Sequence, residues 1–290
     1  MTAQPPADSA ATPAAAVATS VLLTAATRDL AAASDTPRLD AELLLAFATG
    51  RSRSSLLAFP ERTVAQFAAS GFAMFVARRA KGEPVAYLTG TREFHALTLA
   101  VDASVLVPRP ETELCVDAVL ARCVPLRRPA VLDVGTGSGA LAVTLHLELG
   151  CQTWATEISP EAAAVAVANA ARLHAPVHFV ICDVMDAIAP ASIDLIVSNP
   201  PYVPLAEREG LQREVRDFEP HVALFAGQTG FEIYDRIVID ARRVLRPGGR
   251  LIMELGFGSL DRVREMLAGW RDLRVEPDLA GIPRVIAARL

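Results

Sequence analysis

The chain has 290 residues, 52% hydrophobic and 21% charged, with a formal net charge of −5. At ~150 residues per domain this allows one large or two modest domains, and the apolar content excludes wholesale disorder. No run approaches the ~20 uncharged apolar residues that cross a bilayer, so no membrane partner is expected. The acidic balance argues against duplex DNA as the main ligand, because that grip is mostly cationic.

The first residues, to about Ser20, are rich in Ala, Pro and Thr. They lack the basic start and apolar block of a secretion signal and read as a disordered tail, 1–20. A helical region, 21–83, follows. Val21, Leu22, Leu23 and Leu30 sit at helical spacing; Thr36 and Pro37 offer an N-cap and a first-turn proline. Leu39, Leu43, Leu44 and Phe47 predict one apolar face, with Gly50 as the stop. A further helix is expected between Thr63 and Gly82, with Phe67, Phe75 and Val76 inward. The arginines 51, 53, 78 and 79 and Lys81 read as a solvated face.

From 84 to 110 the pattern turns extended. Phe94, Leu97, Leu99 and Val101 predict a hairpin, and Pro108-Arg109-Pro110 forms a stiff connector that places a domain boundary. The remainder, 111–290, alternates. Helix Glu113–Arg122 leads to strand Ala130–Val134, then a glycine loop and a helix to Leu149. Strand Thr153–Glu157, helix Pro160–Leu173 and strands Val177–Cys182 and Ile193–Ser198 follow. A long loop to about Gln228 precedes a helix to Leu245, strand Arg250–Glu254, helix Ser259–Ala268 and a closing pair, Arg274–Glu276 with Val285–Arg289. This alternation predicts an α/β fold, an open parallel sheet covered on both faces.

Val131-Leu-Asp-Val-Gly-Thr-Gly-Ser-Gly-Ala-Leu141 is the first chemical signal. An apolar strand runs into Gly135, Gly137 and Gly139, and a helix N-terminus then offers free N–H groups to an anion. Glu157 lies about 20 residues on, where an acid binds ribose hydroxyls. Gly135, Gly137 and Ala140 also satisfy the dinucleotide pattern G-x-G-x-x-G/A. The loop alone therefore fits a nucleotide cofactor and S-adenosylmethionine (AdoMet) equally. Asp183, closing the third strand, reads either as an acceptor for an adenine amine or as a surface-turn carboxylate.

Ile193-Asp-Leu-Ile-Val-Ser-Asn-Pro-Pro-Tyr202 narrows the chemistry. Asn199 ends the fourth strand and faces the same crevice. Pro200 and Pro201 stiffen the turn and remove competing backbone donors. The Asn199 side-chain oxygen and the Pro200 carbonyl are then free to accept from one planar NH2 group, and Tyr202 supplies an aromatic face. Such nitrogens are weak nucleophiles because their lone pair is delocalised. Two acceptors holding the hydrogens favour deformation toward sp3 and stabilise positive charge as nitrogen attacks a sulfonium methyl, each by ~2–4 kcal/mol. No metal is required.

With Gly135-Thr-Gly-Ser-Gly139, this Asn-Pro-Pro-Tyr tetrad resembles an AdoMet-dependent amino-methyltransferase. Tyr87-Leu-Thr-Gly-Thr-Arg-Glu-Phe94, Val107-Pro-Arg-Pro-Glu-Thr-Glu113, Arg38-Leu-Asp-Ala-Glu-Leu-Leu44, Asp217-Phe-Glu-Pro220 with Ala223-Leu224, and Asp278-Leu-Ala-Gly-Ile-Pro-Arg284 make it similar to the bacterial release factor glutamine methyltransferases over about 20–290. The resemblance implies a seven-stranded Rossmann-like methyltransferase sheet with an N-terminal helical bundle (21–83) that helps hold the release factor. It also implies cytoplasmic N5-methylation of the glutamine in the Gly-Gly-Gln motif of class 1 peptide chain release factors. Gly135, Thr136, Gly137, Ser138, Gly139 and Glu157 would bind AdoMet, with Asp183 and Val184 beside the adenine. Asn199, Pro200, Pro201 and Tyr202 would hold the glutamine side chain, with Asn199, Pro200 and Tyr202 taken as catalytic and Asn199 shared with the cofactor. Arg109 and Glu111 match the family motif and read as structural ion-pair partners.

Three other readings stay open. Methylation of an exocyclic amine on DNA or RNA uses the same tetrad on a flipped base, although no target-recognition domain is evident and stable nucleic acid binding is not expected. A release-factor-binding protein without catalysis, or a nicotinamide oxidoreductase, leaves the tetrad without a use. Cys115, Cys123, Cys151 and Cys182 contain no C-x-x-C and read as buried thiols of a reducing cytoplasm. His174 and His178 have metal-like spacing, but Pro176 between them keeps them off one helical face. His95, His146 and His221 stand apart, and Phe231, Ile233 and Ile237 read as core.

Overall fold

In the computed structural model, which describes residues 16–123 and 128–290, contacts divide the chain into two units, one up to Thr89 and one from Gly90. The first unit holds α1 (Thr19–Leu30), α2 (Pro37–Thr49), α3 (Arg53–Ala58), α4 (Gln66–Arg79) and α5 (Val85–Thr89). Leu23, Leu30, Leu44, Leu45, Leu56 and Phe72 form its core. Gly50 ends α2 in the left-handed region, φ 65°, as a C-terminal stop requires.

Four expectations for this unit are corrected, one being Arg79, read as part of a solvated face but 5% exposed. Residues 16–20 are not a tail: Val17–Ala18 pairs with Thr63–Val64 and α1 begins at Thr19. Residues 1–15 of that expected tail lie outside the described residues. Phe67 is 92% exposed rather than inward. On α2, Leu39, Leu43 and Phe47 lie at the surface, and Ala41, Leu44 and Leu45 are buried together with Asp40 and Glu42. Burial of those two acids is offset by ion pairs. Asp40 meets Arg79 at 2.7 Å, and Glu42 meets Arg38 and Arg53, each at 2.6 Å.

The second unit opens with the expected hairpin, Thr91–Phe94 against Leu97–Ala100, and α6 (Glu113–Cys123). It then builds one seven-stranded sheet. Its strands are β1 (Ala130–Val134), β2 (Gln152–Glu157), β3 (His178–Ile181), β4 (Ile193–Ser198), β5 (Leu245–Glu254), β6 (Arg271–Pro277) and β7 (Pro283–Arg289). Their spatial order is β6-β7-β5-β4-β1-β2-β3. The first five strands run parallel, while β7 is antiparallel to both β5 and β6, so the sheet is mixed rather than wholly parallel.

The helices between the strands are α7 (Ala140–Leu149), α8 (Pro160–Arg172), α9 (Arg213–Phe218), α10 (His221–Leu224), α11 (Glu232–Val244) and α12 (Leu260–Met266). Alternation along β1 explains the two layers. Leu132 and Val134 face Ile237, Ala241 and Val263 of α11 and α12. Val131 faces Val116, Val119 and Leu145 of α6 and α7. The stretch expected as a long loop before α11 contains α9, α10 and a short parallel pair, Val203–Pro204 with Phe225–Gly227. Among the described residues no helix is long and apolar enough to cross a membrane. Cys115 and Cys151 are buried and Cys182 is partly so; the Cys123 side chain lies outside the description.

Candidate active site

In an open α/β sheet the ligand crevice lies beyond the carboxyl ends of the strands, where connections depart in opposite directions. Here that point is between β1 and β4. The glycine loop leaves β1 at Gly135, and the tetrad leaves β4 at Asn199. Ser198 Oγ donates to the Val134 carbonyl at 2.7 Å and ties the two strand ends together. A cleft lined by both strand ends opens there, the concave form usual for small-molecule sites.

The loop is shaped by backbone needs. Gly139 has φ 82°, a conformation that favours glycine, and a Cβ there would sit a tight 3.3 Å from that of Ala166 on α8. Glu157 Oε2 accepts from Gly137 N at 2.9 Å, while Oε1 accepts from Ile158 N and Ser159 N at 2.9 and 3.1 Å. The acid at the end of β2 thus pins the loop while its buried carboxylate lines the cleft.

Gly135, Gly137, Glu157, Asp183, Val184 and the first three tetrad residues all line this cleft. Asp183 is paired with Arg236 of α11 at 2.8 Å. Ile233 and Ile237, expected only in the core, line the cleft as well. Thr136 and Ser138 line a smaller neighbouring recess shared with Arg109, Thr112 and Asn199. Gly139 and Tyr202 line neither. Tyr202 is half-buried against Gly256, where a Cβ would meet its ring at 2.8 Å, and its O–H reaches toward Glu254 Oε1 at 3.5 Å.

Arg109 meets the buried Glu219 of the Asp217–Pro220 motif at 2.5 Å, and Glu219 also accepts from Val107 N at 3.3 Å. This salt link fastens the connector to the segment after the tetrad. His178 stacks on Trp154, ring centroids 4.5 Å apart.

Three functional candidates were not singled out from sequence. Asp133 is buried beneath the loop. Its Oδ2 accepts from Thr136 Oγ1 at 2.6 Å and Ala142 N at 3.1 Å, whereas Oδ1 has no partner and the residue borders the smaller recess. Thr112 donates to Glu254 Oε2 at 2.6 Å and accepts from Asn199 Nδ2 at 3.0 Å. Burial pushes the carboxyls of Asp133 and Glu254 up to about 7. It also pushes the Tyr202 phenol above its usual range, with Glu254 adding to the rise.

A folded-state value raised above the unfolded one gives stability that is present at low pH and lost as pH rises through about 7. Glu254→Gln is therefore expected to gain stability relative to the parent between pH 5 and 8, measured as the difference in urea midpoint. A pH-independent difference would contradict a buried titrating carboxyl.

A family model described as PrmC N-terminal domain matches residues 22–90, and one described as Methyltransferase small domain matches residues 115–213. A release factor glutamine methyltransferase of Koribacter versatilis is 45% identical over 261 residues, covering 89% of this chain and 93% of that protein. The chain belongs to the release factor glutamine methyltransferase family. It is a methyltransferase. Similarly named relatives from Salmonella typhimurium and Escherichia coli K12 are each 38% identical, covering 88% and 89% of this chain and 93% and 94% of theirs. Among solved structures, the hMettl16 catalytic domain in complex with MAT2A 3'UTR hairpin 1 has TM-score 0.54 at 18% identity, covering 79% of this chain and 83% of that chain. That likeness establishes the shared Rossmann-like methyltransferase fold.

Proposed function

We propose that this protein transfers the methyl group of AdoMet to the N5 side-chain nitrogen of the glutamine in the Gly-Gly-Gln motif of class 1 peptide chain release factors, in the cytoplasm. The observation that carries the reading is the hydrogen bonding of Asn199. Its Nδ2 gives one N–H to Thr112, which turns Oδ1, an acceptor, to the opposite side of the carboxamide at the edge of the cleft. An amide NH2 needs such an acceptor, and the relatives of this chain carry glutamine in their name.

The residues present fit AdoMet. Glu157 offers a carboxylate to ribose hydroxyls, Asp183 and Val184 offer a polar and an apolar contact to adenine, and the unpartnered Asp133 Oδ1, bordering the smaller recess beneath the glycine loop, favours an ammonium group. When bound, AdoMet supplies an electrophilic sulfonium methyl. Asn199 Oδ1 and the Pro200 carbonyl accept the substrate N–H bonds and hold the nitrogen lone pair toward that methyl, so placement supplies much of the rate. As the nitrogen gains the methyl carbon, the carbon–sulfur bond would break with its electron pair left on a neutral thioether, and the nitrogen loses one proton to solvent. Tyr202 packs its ring against Gly256 and limits the movement of the three residues before it. Residues 21–83 would hold the release factor, and no metal or nucleic acid is needed.

The test is labelling with methyl-labelled AdoMet and a release factor, beside a factor whose Gly-Gly-Gln glutamine is replaced by asparagine. Label is expected in the first alone; equal labelling of both would overturn the glutamine assignment. Glu157→Ala is expected to weaken AdoMet binding about 10–100-fold in calorimetric titration, the loss of one or two bonds to a charged acceptor. Unchanged affinity would remove the ribose assignment.

A further inference from the structure

We propose that Thr112 and Glu254 are positioning residues that determine which end of the Asn199 carboxamide faces the cleft. The inference rests on the reading that a substrate NH2 group meets Asn199. A carboxamide is nearly symmetric in shape, yet its two ends have opposite hydrogen-bonding character. Presenting Nδ2 to a substrate NH2 would set donor against donor. Something must select the oxygen.

The selection follows from the direction of a hydrogen-bond chain. Glu254, 2% exposed at the end of β5, is acceptor-only when ionised. Thr112 has one hydroxyl proton and commits it to Glu254 Oε2 at 2.6 Å. Its lone pairs then remain as acceptors, and only the Nδ2 end of Asn199 satisfies them, at 3.0 Å. Oδ1 is left for the cleft. The chain is held at its far end too. The Tyr234 hydroxyl donates to the Glu254 carbonyl at 2.8 Å and accepts from Gly256 N at 3.1 Å.

Thr112 is 5% exposed, so water does not readily replace its partners. Since β5 runs beside β4, the carboxylate and the tetrad leave adjacent strands. The residue pair is separated by 142 positions in sequence and has no other evident reason to be polar in a buried layer. Protonated Glu254 is able to donate to Thr112 and reverse the chain. The groups facing Glu254 are Glu111 and Thr112 from the connector, Cys115 of α6, Tyr202 of the tetrad, Tyr234 of α11 and Arg284 of β7.

The experiment exploits a property of the sequence: asparagine occurs only at 169 and 199. Protein labelled with 15N in asparagine alone gives two side-chain NH2 signals, assigned by the loss of one in Asn199→Ala. Asn169 donates to the carbonyls of Ala100 and Ser138 and serves as the internal control for folding. In Thr112→Val, which keeps shape and removes the hydroxyl, solvent exchange of the Asn199 NH2 is expected to accelerate about tenfold or more, the factor for a lost hydrogen bond. Thr112→Ser restores it, and Asn169 does not change.

In parallel, kcat of Thr112→Val and Glu254→Gln is expected to fall about tenfold or more, with KM for AdoMet and release factor within about twofold, a loss confined to the transition state. The parent's rise in kcat through pH 7 disappears in Glu254→Gln. Unchanged exchange and unchanged kcat in Thr112→Val would overturn the proposal. Should the parent methylate no release factor, the substrate reading fails, while the exchange measurement still decides the positioning role.

Discussion

Asn199→Ala is expected to lower kcat by about 10²–10³-fold, the scale found when one electrostatic partner of a developing charge is removed, while the Kd for AdoMet stays within about threefold. The asymmetry follows from geometry. Glu157, Asp183 and the glycine loop, proposed to hold the cofactor, line the β1–β3 side of the cleft, and none of them is hydrogen-bonded to Asn199. Asn199 follows the end of β4 and gives one N–H of its amide to Thr112, so on the proposed reading its oxygen is the end that meets the substrate NH2 group. On the proposed reading that group is nearly planar and weakly positive in the substrate, and full charge would build on nitrogen only as the methyl transfers. The contact is therefore stronger in the transition state than before it, and its loss appears in kcat. Calorimetry and steady-state rates together decide the matter. Equal loss of AdoMet affinity and of turnover would make Asn199 a cofactor contact or a structural residue.

The sheet of the second unit and the gathering of these residues at one edge were largely legible in the sequence because their signals are local. A strand followed by glycines, an acid at the next strand end and Asn-Pro-Pro at the fourth all act within a few residues of their position, and parallel strands bring them to one edge. What escaped was built from distant parts. Thr112 and Glu254 meet only because the connector before α6 crosses the end of β5, and neither residue type is unusual where it stands. Arg236 reaches Asp183 from a helix that pattern alone assigns to packing. The ordering of residues 16–20 depends on a pairing with Thr63 and Val64, more than forty positions away.

The misassigned face of α2 has a sharper cause. Its apolar residues occupy more than one side, so hydrophobic spacing leaves the rotation undecided, and the deciding contacts are ionic. Asp40 turns inward to meet Arg79, and Glu42 lies buried between Arg38 and Arg53. Inside a folded chain a paired acid is tolerated where a lone one is not. A pattern that scores every acid as outward therefore rotates this helix the wrong way, and Leu39, Leu43 and Phe47 are left at the surface.

Arg79→Ala is expected to destabilise the helical unit by about 3–5 kcal/mol, the cost of leaving a buried charge without its partner. Both side chains of the Arg79–Asp40 pair are almost fully buried, 6% and 8% exposed. Arg79 also donates to the carbonyls of Gly82 and Glu83, at 3.5 and 3.3 Å, so its loss frees backbone acceptors beyond α4. Replacing both partners, Arg79→Met with Asp40→Leu, is expected to recover most of the loss, since apolar groups of similar volume often match a buried pair. Urea unfolding followed on the unit's own signals measures both; a single-variant cost below about 1 kcal/mol would mean the pair is solvated in practice. The functional consequence separates the two units. Every residue of the cleft lies after Gly90, so AdoMet affinity should survive Arg79→Ala. If residues 21–83 hold the release factor, KM for that protein rises as the helical unit loosens, with kcat at saturating factor nearly unchanged. A fall in AdoMet affinity of the same size would instead mean that the helical unit supports the cofactor cleft.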